Sequence, residues 1–142
     1  MTNKDNTSFL KLLINMQSIC ESAGDKVFNK KILSVKFKIL FSIYCCKKVS
    51  PSMLVRQLNI AKSNIALFCK NLLEDKFLIS TQDKFDKRII YYELTKKGER
   101  EVESCINTLS AKFESLVSKE DVEKSYKAIN FLLKVLNSNI GD

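Results

Sequence analysis

Histidine is absent from this chain of 142 residues, and glycine (three) and proline (one) are scarce. Without an imidazole there is no Ser-His or Cys-His nucleophile pair, and none of the structural zinc sites that mix cysteine with histidine. The five cysteines, Cys20, Cys45, Cys46, Cys69 and Cys105, are odd in number and show no C-x-x-C spacing, which argues against a disulfide framework. There is no glycine-rich phosphate loop and no metal-ligand spacing, and the carboxylates are scattered along helical stretches. Neither an enzyme nor a resident cofactor is therefore expected. The longest apolar stretch, around Ile39 to Cys46, is too short to cross a bilayer and is interrupted by Ser42. The polar N-terminal segment lacks the apolar core of a signal peptide. A cytoplasmic protein with no membrane partner is the expectation, and the shortage of glycine and proline makes it helix-rich and globular rather than disordered.

What is abundant is positive charge, and it is unevenly placed. Residues 26–100 hold 17 Lys and Arg against 6 Asp and Glu, a net +11. Residues 1–25 and 101–142 together hold 7 against 10, a net −3. A basic centre between slightly acidic ends suggests that one segment meets a polyanion while the flanks serve another purpose.

Helical periodicity starts at about Ser8 and runs to Ala23, with Phe9, Leu13, Met16 and Cys20 at three- and four-residue steps and Leu12 and Ile19 widening the stripe. Thr7 or Ser8 is placed to cap this helix and Gly24 to end it. After a basic connection, Asp25 to Lys31, a second helix is predicted from about Ser34 to Cys46, with Val35, Ile39, Leu40, Ile43 and Cys46 facing inward. Ser50-Pro51 is a sharp helix start, because serine accepts from the first free amides and proline suits the first helical position. A short helix to Leu58 follows, with Met53 or Leu54 and Leu58 inward. Asn59, which tolerates positive φ, then sits where the chain must turn. The next helix runs from about Lys62 to Asp75 with Ile65, Phe68, Cys69 and Leu72 on one face. Two helices joined by so tight a turn form a helix-turn-helix.

The texture then changes. Residues 77–81 and 89–94 are rich in β-branched and aromatic side chains, and a charged turn, Gln82 to Arg88, separates them. This predicts a β-hairpin directly after the helix-turn-helix, which is the wing arrangement. Thr95 caps a further helix beginning Lys96-Lys97-Gly98. A long helical region follows, with a break near Ser118 to Asp121. Ile106, Leu109, Phe113, Leu116 and Val117 stripe its first part. Val122, Tyr126, Ile129, Leu132, Leu133, Leu136 and Ile140 stripe its second, and so much apolar surface must be buried against something.

The segment from about Leu33 to Val102 resembles the MarR family of bacterial transcription regulators. The matching features are the Ser50-Pro51 helix start, then Leu54, Leu58 and Ile60, then Ser63, Ile65 and Leu72. They continue through Asp86-Lys87-Arg88 at the wing tip and Leu94-Thr95-Lys96-Lys97-Gly98 after the second wing strand, the last two forming the most specific pattern. The expected fold is mainly α with a small β-hairpin wing, a winged helix-turn-helix DNA-binding domain at 33–99 and a helical dimerisation region at 1–32 and 100–142. The resemblance implies a homodimer whose two winged domains read a pseudo-palindromic operator in duplex DNA.

Four positions depart from the family pattern. Ala61 stands where a capping serine is usual, Lys76 where glycine usually ends the recognition helix, Leu67 where arginine is common, and Asn59 in place of a frequent turn glycine. The residues expected to reach DNA are Lys62, Ser63, Asn64 and Leu67 on the outward N-terminal face of the recognition helix, with Lys70 nearer the backbone. Asn64 suits adenine, Lys62 guanine or a phosphate, and Leu67 a thymine methyl. On the wing, Arg88 suits the narrow, negative minor groove, with Asp86 pairing to hold it in position and Lys84 and Lys87 adding phosphate contacts.

The resemblance further implies release from DNA by a small phenolic or lipophilic effector, or by oxidation of a cysteine. By location Cys20 and Cys105 are the sensor candidates, while Cys45, Cys46 and Cys69 lie on faces read as leaning to the core. A buried free cysteine usually serves as a small hydrophobe, and reactivity needs exposure and a lowered pKa. The competing functional class is a winged-helix module that binds protein rather than specific DNA, suggested by Leu67 in place of arginine.

Overall fold

The computed structural model describes residues 3–26 and 34–140. The order of elements is α1 (Asn3–Lys26), α2 (Val35–Cys46), α3 (Pro51–Leu58), α4 (Lys62–Glu74), β1 (Leu78–Gln82), β2 (Ile90–Leu94), α5 (Lys96–Leu116) and α6 (Lys119–Ile140). Among the described residues no helix is long and apolar enough to cross a membrane. The chain forms two compact units, residues 1–106 and residues 107–142.

The core of the first unit is built from α2 outward. Ile39, Leu40 and Ile43 are fully buried, and so are Val49, Leu54 of α3, Cys69 of α4 and Val102 of α5. Burying an aliphatic side chain of this size contributes about 1.5–3 kcal/mol, so the three aliphatic residues of α2 anchor the domain. Ile65, Leu72, Phe77, Leu78, Tyr92 and Cys105 complete the cluster. Cys46, expected to face inward on α2, is exposed, and so is Cys45. Phe37 takes the inward place instead. Nine of the twelve residues of α2 are apolar and they fall on every side of the helix, so periodicity there gives little contrast between faces.

Local signals set the helix ends. Ser34 caps α2, its hydroxyl accepting from the Phe37 N–H at 3.2 Å. Ser50 caps α3 in the same way, accepting from the Met53 N–H at 3.3 Å, and Pro51 opens the first turn. Asn59 ends α3 in the left-handed region at φ 52°. α1 departs from its expected bounds: it begins before Thr7 and Ser8 and runs through Gly24 to Lys26. A glycine within a helix costs about 1 kcal/mol relative to alanine, which does not by itself stop propagation. The basic connection expected from Asp25 to Lys31 therefore loses Asp25 and Lys26 to α1, and its remainder lies outside the described residues.

β1 and β2 pair antiparallel, with Leu78 opposite Leu94, Ser80 opposite Tyr92 and Gln82 opposite Ile90. Val49 adds a third position to this sheet, exchanging hydrogen bonds with Tyr92 in both directions at 3.1 and 2.8 Å. A tight turn centred on Lys47 (φ 67°, ψ −46°), closed by the Lys48 N–H on the Cys46 carbonyl at 2.8 Å, delivers Val49 there. The base of the wing is thus tied to the chain between α2 and α3.

The end of α4 is a junction of three elements. The Phe77 N–H donates to the Leu72 carbonyl at 2.9 Å and the Lys76 N–H to the Leu73 carbonyl at 3.1 Å, the two bonds of a Schellman motif. Lys76 holds the left-handed position at φ 61°, where glycine is the unstrained choice. The Phe77 carbonyl accepts from the Thr95 N–H at 3.0 Å, and Thr95 Oγ1 donates to the Lys76 carbonyl at 2.7 Å with the Phe77 carbonyl beside it at 3.2 Å. Thr95 Oγ1 also caps α5, accepting from the Gly98 N–H at 3.1 Å. Lys97 Nζ donates to the Asp75 carbonyl at 2.7 Å, and the Phe77 ring lies beneath Lys36 Nζ at 4.1 Å and Lys97 Nζ at 4.3 Å from its centroid.

At the other end of α4, Ala61 gives no side-chain cap, and only the Asn64 and Ile65 N–H groups reach its carbonyl, at 3.0 and 3.1 Å. Ala61→Ser should add about 1 kcal/mol by supplying an acceptor for a free amide. Lys76→Gly should add about as much by relieving the left-handed lysine. Both gains are read as a raised denaturation midpoint at constant m-value, and an unchanged midpoint in either variant would refute its assignment.

In the second unit, Ser118 caps α6, its hydroxyl accepting from the Asp121 N–H at 3.2 Å and donating to Asp121 Oδ2 at 2.6 Å. The break between α5 and α6 lies where the sequence places it. Val122, Tyr126, Ile129, Phe131, Leu133 and Val135 of α6 are exposed, as are Leu10, Leu12, Leu13 and Ile14 of α1.

Candidate nucleic-acid interface

α4 turns its apolar face to the core through Ile65, Cys69 and Leu72, which leaves the other face outward. Lys62, Ser63, Asn64, Leu67 and Lys70 are all exposed, Ser63, Leu67 and Lys70 on the side opposite the core and Lys62 and Asn64 uncovered at the helix start. Their spacing brings Lys62, Ser63 and Asn64 into the first turn and Leu67 and Lys70 into the following ones. Lys70 reaches Glu74 at 4.0 Å, a solvent-facing pair that leaves the amine accessible. Leu67 is 56% exposed, a large apolar side chain in the middle of an otherwise polar strip.

The wing tip is organised by two aspartates. Asp83 Oδ1 accepts from the Phe85 N–H at 2.8 Å and the Asp86 N–H at 2.9 Å, which folds the turn over its carboxylate. Asp86 Oδ1 then accepts from the Arg88 N–H and from Arg88 Nε, both at 3.0 Å, and Asp86 Oδ2 accepts from Arg88 Nη2 at 3.0 Å. This is a two-pronged pair in which both guanidinium bonds and the peptide N–H fix one carboxylate. The Arg88 side chain is nevertheless 90% exposed, with one edge of the guanidinium engaged by Asp86. Lys84 and Lys87 flank it and are exposed.

The electrostatics follow from these bonds. The Arg88 side chain, then its peptide N–H, hold the Asp86 carboxyl below its ordinary range, and the carboxylate in turn raises Arg88. The Asp86 and Phe85 N–H groups likewise lower Asp83. A carboxyl whose folded pKa is depressed keeps its pair intact above its ordinary value and loses it only as pH falls through the lowered one. The Asp86–Arg88 pair and the Asp83 turn are therefore intact at neutral pH.

The cysteines separate by environment. Cys69 is buried, and burial pushes its thiol up to about 11, so it is a packing group and not a nucleophile. Cys105, a sensor candidate by its place after the wing, is 6% exposed within the core of the first unit. Cys45 and Cys46, read as leaning to the core, are on the surface, where Gln57 Nε2 approaches Cys46 Sγ at 3.8 Å. Cys20 lies within α1, and its side chain is outside the described residues. Nothing in the residue pattern marks Phe85 at the tip as exposed or Val49 as an anchor of the wing.

No family model matches the sequence, and no curated protein matches it significantly. Solved structures do match the fold. AbfR of Staphylococcus epidermidis superposes with a TM-score of 0.78 at 13% identity, covering 100% of both chains. The transcriptional regulator BldR from Sulfolobus solfataricus gives 0.73 at 21% identity, over 94% of this chain and 99% of that one. MarR from E. coli, as a C80S mutant, gives 0.66 at 19% identity, over 84% and 96%. Six helices in this order, a tight turn between α3 and α4 and a two-stranded wing between α4 and α5 are thus the winged helix-turn-helix fold of the MarR-type regulators.

Proposed function

We propose that this protein is a cytoplasmic transcriptional regulator that binds duplex DNA sequence-specifically, as a homodimer on a pseudo-palindromic operator. The observation that carries the reading is Arg88, held by Asp86 at the tip of the wing and exposed, beside a recognition helix that displays Lys62, Ser63, Asn64 and Lys70. An arginine pre-positioned on a narrow hairpin suits the minor groove, and an exposed helix face with Lys, Ser and Asn in its first turn suits the major groove. Residues 33–99 are the DNA-binding domain in this reading. AbfR, of the same fold, has been solved bound to DNA.

Residues 1–32 and 100–142 are assigned to dimerisation. The exposed leucines and isoleucine of α1 and the exposed stripe of α6 support this, since apolar surface on that scale needs a partner. In this assignment a small hydrophobic or phenolic effector, or oxidation of Cys20, acts by changing the separation of the two reading heads.

The test is selection of bound duplexes from a random pool by the full chain, followed by salt titration on the selected sequence. The expected result is a pseudo-palindrome with half-sites about one helical turn apart and an affinity that falls steeply with salt. The exposed Leu67 favours a second reading, a winged module that docks on protein. That reading gains if no sequence is enriched and duplex binding is weak and indifferent to salt.

A further inference from the structure

Phe85 is 98% exposed. Between residues 34 and 106 the next most exposed aromatic ring, Phe41, is 42% exposed and stacks on Phe37 with ring centroids 5.9 Å apart. An aromatic ring with no packing partner stabilises nothing in the free protein, so packing does not account for its presence. The chain also holds it in a fixed place. Its own N–H is bonded to Asp83, the next N–H to the same oxygen, and the Ile89 N–H closes the turn on the Asp86 carbonyl at 3.0 Å. The ring thus stands at the apex of a braced turn rather than on a loose loop.

Its neighbours define what it would meet. Lys84, Lys87 and Arg88 lie within three residues of it on the same exposed turn, while the two carboxylates of the tip are committed, Asp83 to peptide N–H groups and Asp86 to Arg88. An apolar blade framed by cations, with its acids turned to internal bonds, complements a surface that is anionic at its rim and apolar within. A base stack bordered by phosphates has that character, and apolar side chains that enter the minor groove part successive bases and kink the duplex. A wing that carries Arg88 to the minor groove brings Phe85, three residues earlier on the same tip, to the same groove.

We propose that Phe85 is a wedge that enters the minor groove beside Arg88 and partly unstacks the base step it meets, so that the protein bends its operator and prefers a flexible step there. This rests on the DNA-binding reading given above. It predicts that pyrimidine–purine steps, which unstack most easily, are enriched at the wing position of the selected sequence.

The test uses the full chain and the selected duplex, with 2-aminopurine substituted in turn at positions flanking each half-site. The expected result with the wild type is a rise in 2-aminopurine fluorescence at one step per half-site. Phe85→Ala should abolish the rise and weaken binding by about tenfold, while Phe85→Leu should retain part of both. Because the ring packs against nothing, circular dichroism and the melting profile should be unchanged in both variants. Salt-dependent binding by the wild type without any rise, or equal affinity of wild type and Phe85→Ala, would overturn the wedge and leave the DNA-binding reading standing. Absence of salt-dependent duplex binding by the wild type would overturn that reading and the wedge with it.

Discussion

Gly98→Ala should destabilise the folded chain by about 3 kcal/mol, a large share of the stability of a small domain. A Cβ at this position would overlap the carbonyl oxygen of Phe77, with Leu94 Cδ2 at 3.2 Å and the Phe77 carbonyl carbon at 3.3 Å. The principal obstacle is backbone, and that backbone is held from several directions. The Phe77 carbonyl accepts from the Thr95 N–H, the Lys76 carbonyl beside it accepts from the Thr95 hydroxyl, the Phe77 N–H is bonded to Leu72, and the Phe77 ring is buried under two lysines. Making room would mean moving the start of α5 away from the end of α4, at the cost of the Thr95 and Lys97 bonds. The glycine after Leu94-Thr95-Lys96-Lys97 is thus required by close approach of two chain segments and not by a turn. Urea denaturation checks this, as a fall in midpoint without change of slope. A loss below about 0.5 kcal/mol would show that the junction yields easily and that the close approach is not a constraint.

Arg88→Ala should weaken binding to the selected duplex at least tenfold while leaving the fold intact, because the side chain is 90% exposed and its bonds go to one surface carboxylate. The slope of log affinity against log salt should also fall by about two per dimer, one for the phosphate-proximal cation lost from each wing. Asp86→Asn sharpens the test through its sign. Removing a negative charge close to DNA should strengthen binding if Asp86 does nothing but repel phosphates. If Asp86 positions Arg88, binding should weaken instead, since the amide accepts less strongly and cannot receive both guanidinium prongs on charged oxygens. The second outcome is expected. Unchanged affinity for Arg88→Ala would remove the wing from the recognition surface.

Much of the fold was legible because local chemistry decides it. Ser50-Pro51 and Asn59 bound α3, since a hydroxyl, a fixed φ and a tolerance for the left-handed region act within a few residues. The hairpin was readable from its β-branched and aromatic runs, although both strands start one residue later than composition alone suggests. Other features depend on partners distant in sequence. Val49 joins the sheet because a turn at Lys47 with positive φ aims it at Tyr92, and a lysine gives no advance sign of such a turn. On α2 apolar residues occupy nine of twelve positions and fall on every side, so the sequence does not say whether Phe37 or Cys46 faces the core. At the interface, the residue types of the recognition helix and the Asp86–Arg88 spacing were readable. That Phe85 stands uncovered was not, because an isolated phenylalanine among charges reads equally well as a ring folded back onto the hairpin.

The knot at Phe77 has a mechanical consequence. The last turn of α4, Phe77 just before β1 and the start of α5 are joined there by bonds from Thr95 to the Lys76 and Phe77 carbonyls and from Lys97 to the Asp75 carbonyl, and by a ring held beneath two ammonium groups. Through these contacts α4 and the start of α5 share one fulcrum. A load on the first turn of α5 is therefore carried into the last turn of α4 through the same few bonds, and neither helix end shifts without straining the other.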